Sequence, residues 1–127
     1  MKTVEIEWRH LVEEGETCER CNETGETLSG LIGVMNRECE PKGCRFSLSE
    51  IGLEAESLPQ SNSLLIDGIP LEQVLPGASV ASSHCESCCE LIGEQVECRT
   101  IEFGGFSYEA IPEQLLRDAF CRVAGCC

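Results

Sequence analysis

Over residues 3–11, Val4, Ile6 and Trp8 alternate with Glu5, Glu7 and Arg9, the two-residue period of a strand with one buried face. His10 continues the apolar phase. It reads as a strand-end histidine rather than a ligand, since no second histidine is near. Residues 12–17 form an acidic loop containing Gly15. The period then lengthens. Leu28, Leu31, Ile32, Met35 and Cys39 share one helical face, which predicts a helix from Cys18 to Cys39 with Thr17 as its N-cap. Gly25, Gly30 and Gly33 interrupt that helix at a cost of about 1 kcal/mol each relative to alanine. A break of the first turns near Gly25 is expected. Pro41 and Gly43 end the helix.

A second strand is expected over 44–55 from Phe46, Leu48, Ile51 and Leu53. Its phase slips between Leu48 and Ile51, as at a bulge or a short helical turn. Ser63-Leu64-Leu65-Ile66 is a short apolar strand closed by an Asp67-Gly68 turn, and Leu71 to Leu75 is one short helix stopped by Pro76-Gly77. Residues 77–94 are small, polar and cysteine-rich, and read as a loop insertion. Residues 95–103 form a strand that turns at Gly104-Gly105 into Phe106-Ser107-Tyr108. A last helix starts at Pro112 with Leu115, Leu116, Ala119, Phe120 and Val123 as its stripe, and residues 124–127 form a tail ending in Cys126-Cys127. A β-α-β unit, a β-hairpin and a closing helix specify an α/β fold. The expectation is a mixed sheet flanked by helices in one domain, 1–127, with 77–94 as the insertion.

Composition narrows the function. Nine basic residues face twenty-three acidic ones, for a net charge of −14. That argues against nucleic acid, where Lys and Arg must neutralise phosphates, and against an anionic membrane surface. Acidic residues interrupt Met1-Lys2-Thr3-Val4-Glu5 at once, unlike a secretory leader, and no apolar run would span a bilayer. The expected location is cytoplasmic. There, eleven cysteines point to metal binding or catalysis rather than to a disulfide scaffold, and their odd number excludes complete pairing.

Cys18 and Cys21 carry the strongest signal. A CxxC at a helix start puts two thiols on one face, as reversible disulfide formation or shared metal ligation requires. The helix N-terminus and Arg20 favour the Cys18 thiolate; Glu16 and Glu19 oppose it. In exchange chemistry Cys18 is the attacking thiol and Cys21 the resolving one. A second group, Cys85, Cys88, Cys89 and Cys98, offers four thiolates for a tetrahedral zinc or iron-sulfur site, with His84 as an alternative ligand; a disulfide-stapled loop is the other reading. Neighbouring Cα atoms lie about 3.8 Å apart, whereas disulfides need roughly 4.4–6.8 Å, so neither Cys88-Cys89 nor Cys126-Cys127 pairs internally. Cys39 and Cys44 can bridge the Pro41–Gly43 turn, or serve as helix-core and strand residues. Cys121, Cys126 and Cys127 form a tail group, either a relay to Cys18-Cys21, a chelating tail for soft ions, or frayed chain. There is no Walker-type loop, no GxGxxG after a strand and no GxSxG.

A CxxC after the first strand, with this element order, resembles the thioredoxin-like superfamily. A closer resemblance is to a small family of bacterial and archaeal cysteine-rich proteins of unknown function, itself regarded as thioredoxin-like. The matching stretches are Ile6-Glu7-Trp8-Arg9-His10, Gly15-Glu16-Thr17-Cys18-Glu19-Arg20-Cys21, Ser61-Asn62-Ser63-Leu64-Leu65-Ile66-Asp67-Gly68, Cys88-Cys89, Cys98-Arg99 and Tyr108-Glu109-Ala110-Ile111-Pro112. The resemblance implies a fold and almost no activity. In ordinary thioredoxins a proline directly before the third strand packs against the CxxC. Here Asn62 and Ser63 stand in its place, and Pro59 is too early. That puts ordinary substrate docking in doubt and leaves room for an ion beside the thiols.

The leading expectation is thiol-disulfide redox chemistry with Cys18 and Cys21 as the catalytic pair and a thiol or disulfide protein as substrate. The alternative is a non-catalytic binder of zinc, copper, arsenic or mercury through clustered cysteines. A third reading is a scaffold stapled by zinc or disulfides that binds a protein partner. No cofactor is specified beyond a thiophilic metal. The last helix and the hairpin edge offer a homodimer surface without requiring one.

Overall fold

Strand β1 (Lys2–Leu11) is the strand around which the others assemble. In a computed structural model of the chain, the described residues are 2–12, 19–54, 63–84, 89, 93 and 97–125, the side chains of 19, 20, 83, 84 and 98 excepted. After β1 come α1 (Glu19–Cys39), a 3-10 turn (Glu40–Lys42), β2 (Cys44–Leu53), β3 (Ser63–Ile66), β4 (Ile69–Pro70) and α2 (Leu71–Val74). Then follow β5 (Ser79–His84), β6 (Glu97–Phe103), β7 (Phe106–Tyr108) and α3 (Glu113–Ala124).

The first sheet is mixed, in the order β2-β1-β3-β4. β1 and β2 run parallel from Lys2↔Cys44 to Leu11↔Leu53, and β3 runs antiparallel to β1 with Ile6↔Ile66 and Trp8↔Leu64 as partners. Val4, Ile6, Trp8 and His10 therefore share a face with Phe46, Leu64 and Ile66, and all seven are buried. The bulge or helical turn expected between Leu48 and Ile51 is absent, because the β1–β2 register runs through it without a break. Ile51 lies out of phase because it points off the core face of an edge strand, where it is 37% exposed.

Helix α1 is continuous for 21 residues, so the expected break near Gly25 does not occur. Cys21, Thr24, Leu28, Leu31, Ile32, Met35 and Cys39 form its buried stripe, at spacings of three and four. Gly25 lies on the same stripe against the Trp8 indole. A Cβ there would fall inside the contact radius of Cη2 and 2.8 Å from Cζ3. The glycine lets helix and strand approach, and packing compensates its low propensity. Lower on the helix, Asn36 clamps β2: its Oδ1 accepts the Phe46 N–H at 2.7 Å and its Nδ2 donates to the Phe46 carbonyl at 3.1 Å.

Asp67 and Gly68 take φ of 51° and 79°, the doubly positive φ of a two-residue hairpin turn. Asp67 also locks that turn to β1. Its N–H donates to the Glu5 carbonyl, and its Oδ1 accepts the Glu5 N–H, each at 2.8 Å.

The hairpin across Gly104-Gly105 forms as expected, but it does not join the first sheet. It belongs to a second sheet, β5-β6-β7. The reading of 77–94 as a loop insertion is corrected over Ser79–His84, which pairs antiparallel with β6; of 85–94 only Cys89 and Gly93 are among the described residues. Small polar residues concealed this strand, as only Val80 and Ala81 are apolar and Val80 is 37% exposed. Ile101 and Ile111 carry this half of the chain into the same hydrophobic cluster as β1 and α1. Arg99 of β6 donates to Glu72 of α2 at 3.1 Å.

Helix α3 closes the core. Phe120 stacks on Phe46 at 5.6 Å between ring centroids, and Arg117 pairs with Glu38 of α1. Gly125 takes φ of 70° and returns its N–H to the Cys121 carbonyl, a left-handed C-terminal cap. Among the described residues, no helix is long and apolar enough to cross a membrane.

Candidate functional site

The end of β1 and the start of α1 form the candidate site. The apolar alternation of β1 carries His10 into the interior, where its side chain is 4% exposed. Its ring stacks on Trp8 at 3.9 Å with 21° between the planes. Nδ1 lies 3.2 Å from the Leu11 carbonyl, and Nε2 lies 2.6 Å from Oε1 of Glu50 on the neighbouring strand. A carbonyl only accepts, so Nδ1 carries a proton. Glu50 is 57% exposed, so the pair leads from the interior to solvent.

On the helix side, Glu19 is the first helical residue and Cys21 the third. Cys21 is 1% exposed and belongs to the main hydrophobic cluster. One turn on, buried Thr24 accepts the Ile111 N–H at Oγ1, at 3.3 Å. That bond ties the segment leading into α3 to the first turns of α1.

Of the predicted catalytic pair, Cys21 stands in this site and Cys18 lies outside the described residues. In the predicted metal group, Cys85 and Cys88 lie outside them. Cys89 is buried, and its carbonyl accepts the Gly93 N–H at 2.8 Å. Cys98 is in β6, with its backbone opposite Ser83, and His84 is opposite Glu97. Cys126 and Cys127 lie outside the described residues. Cys21, Cys39, Cys44 and Cys89 are thiols, so of the two readings of Cys39 and Cys44 the core one holds and the bridge across the turn does not form. Both are core residues, at the end of α1 and the start of β2. Cys121 is disulfide-bonded, and none of those four is its partner. Among the described residues, no group of three or more His, Cys, Asp or Glu is placed to hold a metal ion. Sequence reasoning missed the Glu50 contact. Its signal was the His10 phase on β1, but the partner depends on a strand register across forty residues.

Fold and site define an α/β protein with a mixed sheet, whose first helix buries a cysteine of a CxxC in the main hydrophobic cluster. The chain belongs to the family described as a domain of unknown function, DUF2703, which matches residues 4–120. An uncharacterised protein of Archaeoglobus fulgidus is 33% identical over 115 residues, covering 87% of this chain and 80% of that relative. No solved structure matches.

Proposed function

We propose that the protein is a thioredoxin-like thiol-disulfide oxidoreductase working through Cys18 and Cys21. The observation that carries this reading is the placement of Cys21, a buried thiol in the first turn of a long helix directly after the central strand. The β-α-β unit, the antiparallel β3–β4 hairpin and the closing α3 support the thioredoxin-like reading. In this mechanism the Cys18 thiolate attacks one sulfur of a substrate disulfide. A mixed disulfide forms, and the other substrate sulfur leaves as a thiolate. Cys21 then loses its proton and attacks the Cys18 sulfur. The Cys18–Cys21 bond forms, the mixed disulfide breaks, and the substrate has gained two electrons. A low-molecular-weight thiol would restore the dithiol, in keeping with a reducing, cytoplasmic compartment. In a Cys21→Ser variant the second step is blocked, so the expected result with insulin as substrate is a mixed disulfide at Cys18, seen by mass spectrometry. Normal insulin reduction by that variant with no trapped adduct would sink the mechanism.

A second reading is soft-metal binding by Cys85, Cys88, Cys89 and Cys98. The β5–β6 pairing supports it, since β5 ends one residue before Cys85 and lies beside Cys98 in β6. Stoichiometric zinc retained through dialysis, and lost in a Cys98→Ser variant, is its expected signature. An anaerobic preparation that neither holds zinc nor takes it up would overturn it.

A further inference from the structure

A hollow of about 160 Å³ is bordered by both sheets. Arg9 of β1, Ser63 and Leu65 of β3, Pro70 of β4, Glu72 of α2 and Arg99 of β6 line it. Strand alternation places it away from the CxxC helix. Trp8 and His10 are buried, and Gly25 of α1 rests on the Trp8 ring. Arg9 stands between them in sequence and so points from the other face of the sheet. Ser63 is its antiparallel partner and shares that face, as does Leu65, opposite Glu7.

The charges around the hollow reverse those of the chain as a whole. The protein has nine basic residues against twenty-three acidic ones, yet two of the three charged side chains lining the hollow are arginines. The one carboxylate there, Glu72, already accepts from Arg99 at 3.1 Å. Glu7 holds Arg9 from outside the hollow: Nε and one terminal nitrogen of the guanidinium both lie 2.7 Å from its Oε2. Each guanidinium is thus oriented by a carboxylate of its own. Among the described residues, Arg9 keeps its other terminal nitrogen for a further acceptor. Two like charges facing one cavity repel, and an anion between them removes that cost. The guanidinium fork matches the oxygens of a carboxylate or phosphate group. Pockets for drug-sized ligands start at about 300 Å³, so the volume here suits a small ion or group.

We propose that this hollow binds a small oxyanion, whose oxygens take N–H groups from Arg9 and Arg99 and the hydroxyl of Ser63. The anion neutralises the two arginines and ties β1 to β6, strands of different sheets. Because β6 supplies Arg99, the site needs the second sheet as well as the β-α-β unit. It stands independently of the redox reading.

The test is isothermal titration calorimetry of the full chain with sodium phosphate, sulfate and acetate in turn, at an ionic strength held constant with sodium chloride. At least one of the three should bind saturably, with one site per chain, and their order separates a tetrahedral ligand from a carboxylate. Arg9→Gln should weaken that binding about tenfold or more, because hydrogen bonds from a charged group are lost. Arg9→Lys should recover only part of it, since an ammonium keeps the charge without the fork. Arg45→Gln removes the same charge from an exposed arginine of β2 outside the hollow, and should bind as wild type does. Arg99→Gln should weaken binding as Arg9→Gln does. Should that variant lose its fold, Arg9, with a side chain 37% exposed, carries the test. No saturable binding of any of the three anions, wild-type affinity in Arg9→Gln, or equal losses in Arg9→Gln and Arg45→Gln would overturn the proposal.

Discussion

Replacing Gly25 by alanine should destabilise the protein, although the same change elsewhere in α1 should stabilise it. In an unconstrained helix interior, Gly→Ala gains about 0.5–1 kcal/mol, because alanine loses less backbone entropy on folding. Nothing lies within 4 Å of a Cβ built on Gly30 or Gly33, so both positions should return that gain. At Gly25 the added carbon meets the benzo ring of Trp8. That ring is rigid, 5% exposed and stacked on His10, so it has no cheap escape. Overpacking of this kind costs about 1–3 kcal/mol. Backbone propensity cancels when Gly25→Ala is compared with Gly30→Ala, so that penalty is the expected difference between them. With an m-value of about 1–3 kcal/mol/M in urea, their unfolding midpoints should differ by about 1 M.

A double-mutant cycle isolates the contact. Trp8→Phe removes the benzo ring and opens the space the alanine methyl needs. Trp8→Phe with Gly25→Ala should therefore be more stable than the sum of the two single changes, by about 1 kcal/mol or more. Equal midpoints for Gly25→Ala and Gly30→Ala, or strict additivity with Trp8→Phe, would refute the close-approach argument. They would also undo the close placement of the first turns of α1 over Trp8.

Two further outcomes test the frame of the site. Asn36→Ala should cost about 1–3 kcal/mol in urea unfolding, because it strips both hydrogen bonds from the Phe46 backbone; an unchanged midpoint would show that the clamp adds nothing. Cys39 and Cys44, at 1% and 3% exposure, should react with a thiol reagent in native buffer far more slowly than in denaturant. Rapid native labelling, or a Cys39–Cys44 disulfide peptide from an anaerobic digest, would contradict their place in the core.

Periodicity made the first half of the fold legible. β1 and α1 each bury one clean stripe, and the stripe of α1 is strong enough to outweigh three glycines. One of those glycines read as a weakness because its compensation comes from Trp8, seventeen residues away and on another element. The edge position of β2 gave a false irregularity: apolar residues on its outward half need no alternation. The second sheet was half legible. Gly104-Gly105 marked its turn, but β5 is a strand of Ser, Val, Ala and His that depends on pairing with β6 rather than on its own hydrophobicity. A run of small polar residues carries the same pattern whether it is loop or paired strand.

The site divides along the same line. Cys21 was legible because a CxxC and a helical stripe both lie within local sequence. The His10–Glu50 contact is not local. Glu50 reads as one of twenty-three acidic residues until β1 and β2 are set parallel with Trp8 opposite Glu50 and His10 opposite Gly52. Glycine at that place leaves no side chain between the imidazole and the carboxylate two residues earlier. Gly52 thus belongs to the arrangement. A Cβ there would lie 3.1 Å from Cγ2 of Val12, the residue that follows β1, so the Val12 side chain would have to give way. A side chain at position 52 would press on Val12 at the exit of β1. The site therefore depends on two glycines, Gly25 and Gly52, one on each element that flanks the aromatic stack. Both stand where another element comes close, Gly25 against Trp8 and Gly52 against Val12.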